Sequence, residues 1–174
     1  WRTTAKRGEL SVRQFEQLQR QRLSVVLDLY HPKTKPTPEG QAVIEQAISF
    51  VATLASDLVN RDRNKLALAL VGDTVHILHD VQSAILVDDV LDRLAEIQSS
   101  PLPNVSSALA QLSSSLMYCP VLLVISSRPN QITKLIGNLS DLNQRLLSRL
   151  QVRWLDVTAG ALTPYFDLHQ PEET

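Results

Sequence analysis

The sequence predicts an open, doubly wound α/β domain, with a mostly parallel sheet, helices on both faces and one antiparallel edge strand. Aliphatic runs of strand length alternate along the chain with amphipathic helical segments. These runs are apolar at consecutive positions, which is typical of parallel strands buried on both faces. The chain has 174 residues, 44% of them hydrophobic, which is enough for one compact domain with a substantial core.

The first buried strand and the helix after it are predicted from residues 23–58. The aliphatic run 23–29 ends in a polar loop that contains several prolines. A helix then begins at Thr37-Pro38, because threonine is a good N-cap and proline suits the first helical position. Apolar residues recur at intervals of three and four and form one stripe that covers the sheet. These residues are Ile44, Ala47, Ile48, Val51, Leu54, Ala55 and Leu58.

A hairpin follows and forms one edge of the predicted sheet. The buried run 66–71 is joined to the short run 75–78 by the tight turn Gly72-Asp73-Thr74. So short a connection allows only antiparallel pairing. Residues 75–78 are therefore the antiparallel edge strand.

The second half of the chain continues the alternation of helices and strands. Helices are predicted over residues 87–97 and from Asn104, which is a good N-cap residue. A buried strand follows at 120–125, and a last strand at 152–157. Between these strands lie one or two helices broken near Gly137. Their inner face is predicted to carry Leu135, Leu139, Leu142, Leu146 and Leu150.

This pattern divides the chain into three parts. Residues 1–22 form a basic segment that leads into the domain, residues 23–160 form the domain, and residues 161–174 form an irregular tail. Within the first part, a short edge strand is expected at 10–15. The chain opens on Trp1 without a methionine, so we expect a fragment of a longer polypeptide.

Composition excludes several classes of site. The longest unbroken aliphatic run, residues 66–71, is far shorter than the roughly 20 residues that a membrane-spanning helix needs. Cys119 is the only cysteine, so an internal disulfide is impossible, and we expect it to be a core residue. No two of the five glycines are close in sequence, which excludes glycine-rich phosphate-binding loops.

Charge is balanced overall and uneven along the chain. The net charge is −1, whereas residues 1–22 hold six basic and two acidic residues. Interleaved aromatic residues are missing from this segment, so nucleic-acid binding is not expected. We favour a structural role, with Arg7 or Arg13 paired to Glu16. The alternative is a surface that docks an acidic partner or membrane headgroups.

The candidate binding surface lies at the carboxyl edge of the predicted sheet. Ligands of open α/β sheets bind outside the carboxyl ends of the strands, where the strand order reverses. Polar residues follow two of the strands and surround the start of one helix. They are Asp28, Tyr30, His31, Asn104, Ser106, Ser127 and Arg128. Tyr30 and Arg128 are the preferred anchors, because exposed tyrosine and arginine are frequent at protein interfaces.

Catalysis is not expected from this set of residues. Ser126 or Ser127 at a strand tip, with His31 nearby, is the one combination from which a hydrolase could be built. The Gly-x-Ser-x-Gly motif is absent, so we predict that the chain is not an enzyme. His76 and His79 fall on opposite faces of a strand, which argues against their binding one metal ion.

The opening of the chain resembles the signature of domain-of-unknown-function family fifty-eight (DUF58). The matching residues are Trp1, Ala5-Lys-Arg-Gly8, Leu10-Ser-Val-Arg13 and Phe15-Glu16, followed by the first strand, which ends at Asp28. The resemblance implies a von Willebrand factor type A-like domain. It also implies a membrane-associated accessory protein, with membrane segments outside this fragment, a cytoplasmic domain and a MoxR-type AAA+ ATPase as a possible partner.

The resemblance also bears on metal binding, because type A domains often hold magnesium through Asp-x-Ser-x-Ser at the end of the first strand. Asp28 matches the aspartate, but the two serine positions are Tyr30 and Pro32. The site is therefore predicted to be degenerate and to lack a tightly bound ion, since Mg²⁺ requires several oxygen ligands. Asp28 itself is expected to cap loop amides.

Two further positions of the type A pattern also depart from it. Ser127 stands where the family has a later aspartate, and the threonine loop offers only Ser106 or Ser107. The alternative interpretation is a magnesium-dependent adhesion-type domain, in which Asp28 keeps the ion with help from Ser106, Ser127 and water.

Overall fold

The computed structural model describes residues 22–33, 35–60, 65–102 and 104–165. Strands and helices alternate along these residues as the sequence predicts. In chain order they are β1 (Arg22–Asp28), α1 (Pro38–Asn60), β2 (Lys65–Val71), β3 (Val75–Val81), α2 (Ala84–Glu96), α3 (Val105–Leu116), β4 (Val121–Ser126), α4 (Ile132–Gly137), α5 (Asp141–Leu147), β5 (Gln151–Asp156) and a 3-10 turn (Thr163–Tyr165). None of the helices described is long and apolar enough to cross a membrane.

The strands form one sheet in the order β3-β2-β1-β4-β5. β3 is antiparallel to β2, and the other neighbours pair in parallel, which confirms the predicted fold class and the edge hairpin. From β1 the chain first adds β2 on one side and later adds β4 on the other. The strand order therefore reverses between β1 and β4, and this is where ligands bind in open α/β sheets.

Helices cover both faces of the sheet because each central strand sends buried side chains in both directions. On one face, Val25 and Leu27 of β1 pack with α1 and α2. On the other, Val26 packs with α3, α4 and α5. The α3 side chains in this second core are Val105, Ala108, Leu109, Leu112 and Leu116.

The start of α1 agrees with the sequence prediction, and the start of α3 differs in detail. The hydroxyl oxygen of Thr37 accepts a hydrogen bond from the Gly40 amide at 3.2 Å, so Thr37 caps α1. Asn104 precedes α3 but makes no side-chain capping bond. Its backbone, at φ −85° and ψ 9°, is outside the extended region in which N-cap residues usually reach the next amides. Asn104 therefore occupies the N-cap position of α3, as the sequence predicts, but its side chain does not cap the helix.

Two other predictions need correction or extension. Leu142 was expected on an inner helix face, but its side chain is 77% exposed. The reason is that α4 and α5 are separate short helices, so a single stripe does not continue from one to the other. β3 extends three residues beyond the predicted end, to Val81. The strand expected at 10–15 lies outside the described residues.

Candidate functional site

A buried ion pair lies at the carboxyl edge of the sheet, between β1 and β4. Asp28 ends β1 and is 1% exposed. Its Oδ2 accepts a hydrogen bond from Arg128 Nε at 2.7 Å and another from the Ser126 hydroxyl at 2.7 Å. Arg128 is itself buried, at 8% exposure. We call Asp28, Ser126 and Arg128 the edge cluster.

The backbone fixes this cluster through strand register and the turn after β4. Ser126 ends β4 directly beside Asp28 in the parallel pairing. The Arg128 amide donates to the Ser126 hydroxyl oxygen at 3.2 Å, which turns the chain back over the strand end. The Trp154 indole Nε1 donates to the Arg128 carbonyl at 3.1 Å from the neighbouring strand β5. Arg128 is therefore held by main-chain as well as side-chain contacts.

Tyr30 and Ser127 complete the surroundings of the guanidinium. The Arg128 Cζ lies 4.5 Å from the centre of the Tyr30 ring, which is a cation-π contact. The Ser127 hydroxyl donates a short hydrogen bond to the Tyr30 carbonyl. Tyr30 also forms an isolated parallel bridge with Ser100 in the loop before α3. These contacts tie the loop after β1 to the turn after β4.

Electrostatics at the cluster are governed by burial. Burial raises the pKa of the Asp28 carboxyl above its ordinary value, because the charged form loses hydration. The positive charge of Arg128 and hydrogen bonds from Arg128, Ser126 and the Tyr30 backbone oppose this rise. Arg128 Nη2 is also buried and finds no hydrogen-bond partner within the described part of the chain.

A cavity of about 360 Å³ opens beside the cluster. Tyr30, His31, Ser127 and Arg128 line it together with residues from the first turns of α1. The His31 ring packs close to this helix, since a Cβ at Gly40 would lie 2.9 Å from His31 Nε2. Four of the seven predicted surface residues therefore line one cavity, and Asp28 lies buried next to it.

The other two predicted surface residues are not joined to the cluster. Asn104 and Ser106 are half-buried at the start of α3. Neither side chain makes a hydrogen bond to Asp28, Ser127 or Arg128 in the part of the chain that the structure describes. Arg128 differs from expectation in another way, because we predicted an exposed anchor and the guanidinium is turned inward onto Asp28.

The edge cluster does not fit the divalent cation that type A domains often hold. The one carboxylate already binds a guanidinium and a hydroxyl through the same oxygen. The Pro32 side chain has no ligand atom, and the Ser127 hydroxyl is directed at the Tyr30 carbonyl. Across the described ranges, no group of three or more His, Cys, Asp or Glu side chains converges on a metal position. A magnesium ion at Asp28 Oδ2 would compete with Arg128 for that oxygen.

The hydroxyl groups of the two serines at this edge both donate hydrogen bonds. The Ser126 hydroxyl donates to Asp28, and the Ser127 hydroxyl donates to a carbonyl. His31 Nδ1 instead contacts the Lys33 backbone, at 2.8 Å from its oxygen. No hydrogen bond joins either serine hydroxyl to His31 in the part of the chain that the structure describes.

The two histidines of β3 contact different groups. His76 lies 2.9 Å from the Thr74 hydroxyl and 3.1 Å from Arg93 Nη1. His79 lies 2.7 Å from the Ser115 hydroxyl of α3. These contacts were not predicted from the sequence, and neither was the hydrogen bond from Trp154 to the Arg128 carbonyl. Ser126 was placed at this edge because it stands at the tip of a buried strand.

Comparisons with known proteins bear on the fold. No protein-family profile matches the sequence, and no curated protein matches it. Among solved structures, the chain is similar to BatB of Bacteroides thetaiotaomicron, with 12% identity and a TM-score of 0.50 over 78% of this chain and 66% of that one. This likeness and the strand order show a von Willebrand factor type A-like α/β fold.

Two weaker likenesses concern a pilus tip protein and an aerotolerance-related membrane protein. The vWF domain of the pilus tip protein Mfa5 of Porphyromonas gingivalis is 9% identical, with a TM-score of 0.48 over 62% of this chain and 37% of that one. An aerotolerance-related membrane protein of Bacteroides fragilis is 13% identical, with a TM-score of 0.44 over 78% of this chain and 67% of that one. The chain spans only 19% of a longer Mfa5 structure.

Proposed function

We propose that this chain is a non-enzymatic protein-interaction domain of a membrane-associated protein, and that its carboxyl edge binds a partner without a metal ion. The observation that carries the proposal is the position of Arg128. Its guanidinium supplies a positive charge to Asp28 from within the chain, at 2.7 Å. The site thus has its own cation at the point of the sheet where ligands of this fold class bind.

The surface around the cluster supports binding. Tyr30 is half-buried above the guanidinium, and the adjoining cavity lies open to one side of it. Aromatic residues with one packed face are frequent anchors of protein interfaces. Arg128, which is bonded to Asp28, packs against the inner face of the Tyr30 ring. We therefore propose that the ion pair fixes the orientation of Tyr30 and that Tyr30 contacts the partner.

The resemblance of residues 1–16 to the DUF58 signature supplies the candidate partner. Genes of that family often accompany those of MoxR-type AAA+ ATPases, so we propose such an ATPase as the partner. The domain would then lie on the cytoplasmic side of a membrane to which other segments tether it.

Capture of a purified MoxR-type ATPase by the immobilised chain tests this function. The account predicts equal capture in EDTA and in millimolar magnesium, and loss of capture in Tyr30→Ala. Tyr118→Ala is the matched control, because Tyr118 is an exposed tyrosine that also contacts an arginine, Arg22, at the opposite edge of the sheet. Capture that needs magnesium and is lost in Asp28→Ala would instead establish the metal-dependent alternative.

A further inference from the structure

We infer that a cavity at the amino edge of the sheet, where β1 and β2 begin, binds the phosphate monoester group of a small molecule. The cavity measures about 420 Å³. Its basic lining residues are Arg22, Lys65 and His79, so the phosphate would be held by side chains rather than by a glycine-rich loop. This inference is independent of the proposed function, because it concerns a different site and a different class of ligand.

Strand register brings two of these basic side chains together. Arg22 begins β1 and Lys65 begins β2, and the two residues are direct neighbours in the parallel pairing. Residues at even spacing along a strand share one face of the sheet. Val26 and Ala67 stand at such spacing from Arg22 and Lys65, and both belong to the core under α3. The two basic side chains therefore lie on the α3 face, and the small Ala67 lines the cavity beside them.

An irregularity in β3 adds two further groups to the cavity. The pairing of β3 with β2 shifts its register between Leu66 and Leu68, and Asp80 adopts a φ of 52°. Successive residues of a regular strand point to opposite faces, yet His79 and Asp80 both line this cavity. Bulges that redirect a side chain in this way are frequent beside functional sites.

The charge of the cavity favours an anion that can reach these groups. No acidic side chain pairs with the Arg22 guanidinium among the residues that the structure describes. Lys65 Nζ lies 3.4 Å from Asp80 Oδ1, and the Asp80 side chain is 66% exposed, so water weakens that pair. Arg22, Lys65 and Asp80 together carry one net positive charge. Arg22 and Lys65 are half-buried and His79 is exposed, so all three are accessible to a ligand.

The end of α3 is the feature that opposes an anion here. A helix C-terminus carries a partial negative charge on its last carbonyl groups. In α3 these carbonyls accept hydrogen bonds from the amides of Met117, Tyr118 and Cys119. Arg22 lies beside the same turn, with its Cζ 5.5 Å from the centre of the Tyr118 ring. The last turn is thus hydrogen-bonded within the chain, and the side-chain charges dominate the cavity.

The set of donors favours a phosphate over a carboxylate. The three basic side chains come from three adjacent strands, and Ser114 and Ser115 add hydroxyl groups from α3. A phosphate monoester offers three terminal oxygens and up to two negative charges, whereas one arginine can satisfy both oxygens of a carboxylate. His79 Nδ1 lies 2.7 Å from the Ser115 hydroxyl, and its Nε2 makes no hydrogen bond within the described ranges. The volume also falls within the roughly 300 to 1,000 Å³ of small-molecule sites, which leaves room for an organic group on the phosphate.

Titration of the whole ¹⁵N-labelled chain with glycerol 3-phosphate, followed by nuclear magnetic resonance, tests this inference. We expect saturable shifts of the backbone amide resonances of Arg22, Lys65 and His79. Sodium acetate should bind at least about tenfold more weakly, because it offers fewer oxygens and less charge. The absence of saturable shifts, or acetate binding as tight as that of glycerol 3-phosphate, would overturn the inference.

Variants of the charged residues locate the binding. Arg22→Ala and Lys65→Ala should each weaken the binding of glycerol 3-phosphate about tenfold or more, because each removes a charged hydrogen-bond donor. Arg153→Ala is the matched control, since it removes an exposed arginine of β5 outside this cavity and should leave the affinity unchanged. Equal losses in Arg22→Ala and Arg153→Ala would show that binding is not at the cavity.

Asp80→Asn gives the sharpest test, because the expected change is a gain. Asparagine tolerates the left-handed backbone of this position, and the substitution removes the acidic group that opposes a phosphate. Binding of glycerol 3-phosphate should become about two- to fivefold tighter. A residue that only supported the fold would not give this gain, so unchanged or weaker binding would overturn the inference even if Arg22→Ala failed to fold.

Cosedimentation with vesicles distinguishes a soluble ligand from a lipid headgroup. Phosphatidic acid presents the same phosphate monoester at the surface of a phosphatidylcholine vesicle. A soluble ligand predicts that any vesicle binding is the same for wild type, Arg22→Ala and Lys65→Ala. Vesicle binding that these two variants abolish, without binding of glycerol 3-phosphate, would make the ligand a lipid and overturn the inference of a small molecule.

Discussion

The two edges of the sheet carry the same pair of interactions in different surroundings. At the carboxyl edge, Arg128 pairs with Asp28 at 2.7 Å and lies over Tyr30 at 4.5 Å. At the amino edge, Lys65 pairs with Asp80 at 3.4 Å, and Arg22 lies over Tyr118 at 5.5 Å. The side chains of the first pair are 10% and 1% exposed, whereas those of the second are 22% and 66% exposed.

This difference in burial decides what each ion pair does. Water screens an exposed pair and competes for its hydrogen bonds, so such pairs contribute about 0 to 1 kcal/mol. A buried pair has lost its hydration, and each partner then depends on the other. The edge cluster is therefore a structural unit that fails when one member is removed, while the amino-edge pair is an ordinary surface contact.

The largest effect is expected from breaking the buried pair. Arg128→Met keeps most of the side-chain volume but leaves the Asp28 carboxylate buried without its cation. We expect a loss of about 3 to 5 kcal/mol in the free energy of unfolding, measured by urea denaturation. The double variant Asp28→Asn with Arg128→Met removes both charges and should recover most of that loss. A single variant as stable as wild type would mean that the pair is not formed.

A smaller loss is expected when the aromatic contact is removed. Tyr30→Ala takes away the ring over the guanidinium and should destabilise the chain by about 1 to 2 kcal/mol, the range of a largely desolvated cation-π contact. Tyr118→Ala at the exposed edge should cost less, about 0.5 to 1 kcal/mol. If Tyr30→Ala and Tyr118→Ala lowered the free energy of unfolding equally, burial would not strengthen the contact at the carboxyl edge.

The pH dependence of stability separates Asp28 from the exposed acids. Its pKa is raised in the folded state, so the folded chain binds the proton more tightly than the unfolded chain does. The contribution of this group to stability is therefore fully present below the unfolded value near 3.8, and is lost as pH rises through the folded value. The stability of wild type relative to Asp28→Asn should fall over that interval. A difference that rises with pH would show a lowered pKa instead.

The smallest effect is expected at the amino edge. Asp80→Ala removes the partner of Lys65 and should change the free energy of unfolding by less than about 1 kcal/mol. Raising the salt concentration should reduce even this effect, since exposed charges are screened. The loss of stability caused by Arg128→Met should persist in high salt. Measuring the stability of both variants as a function of salt concentration therefore compares the two ion pairs directly.

Most of the fold could be predicted from local sequence, because burial of both sheet faces forces apolar residues into continuous runs. The run 23–29 became β1, and the Thr37-Pro38 signal placed the start of α1 correctly. Errors arose where a pattern crosses a break, as at Leu142. Helical spacing does not keep residues on one face when the helix is interrupted, and the chain is not helical between α4 and α5.

The composition of the edge cluster was only partly predictable. Asp28 and Arg128 were both placed at the carboxyl edge, because they follow buried strands. Their pairing spans 100 residues and depends on β4 lying next to β1, which no local pattern specifies. The inward turn of Arg128 also requires the bond from its amide to Ser126 and the contact from Trp154. The sequence therefore indicated that Asp28 and Arg128 lie at this edge, but not that they form an ion pair with each other.

The central claim is that Arg128 is the cation of this site and that no divalent ion takes its place. Thermal unfolding of the wild-type chain in EDTA and in millimolar MgCl₂ or MnCl₂, alongside Asp28→Ala, tests it most directly. The account predicts the same midpoint for wild type in all three solutions. An ion present at a hundred times its dissociation constant would stabilise the chain by about 2.7 kcal/mol, or about 5 to 11 °C. A rise of that size in wild type, absent from Asp28→Ala, would contradict the claim.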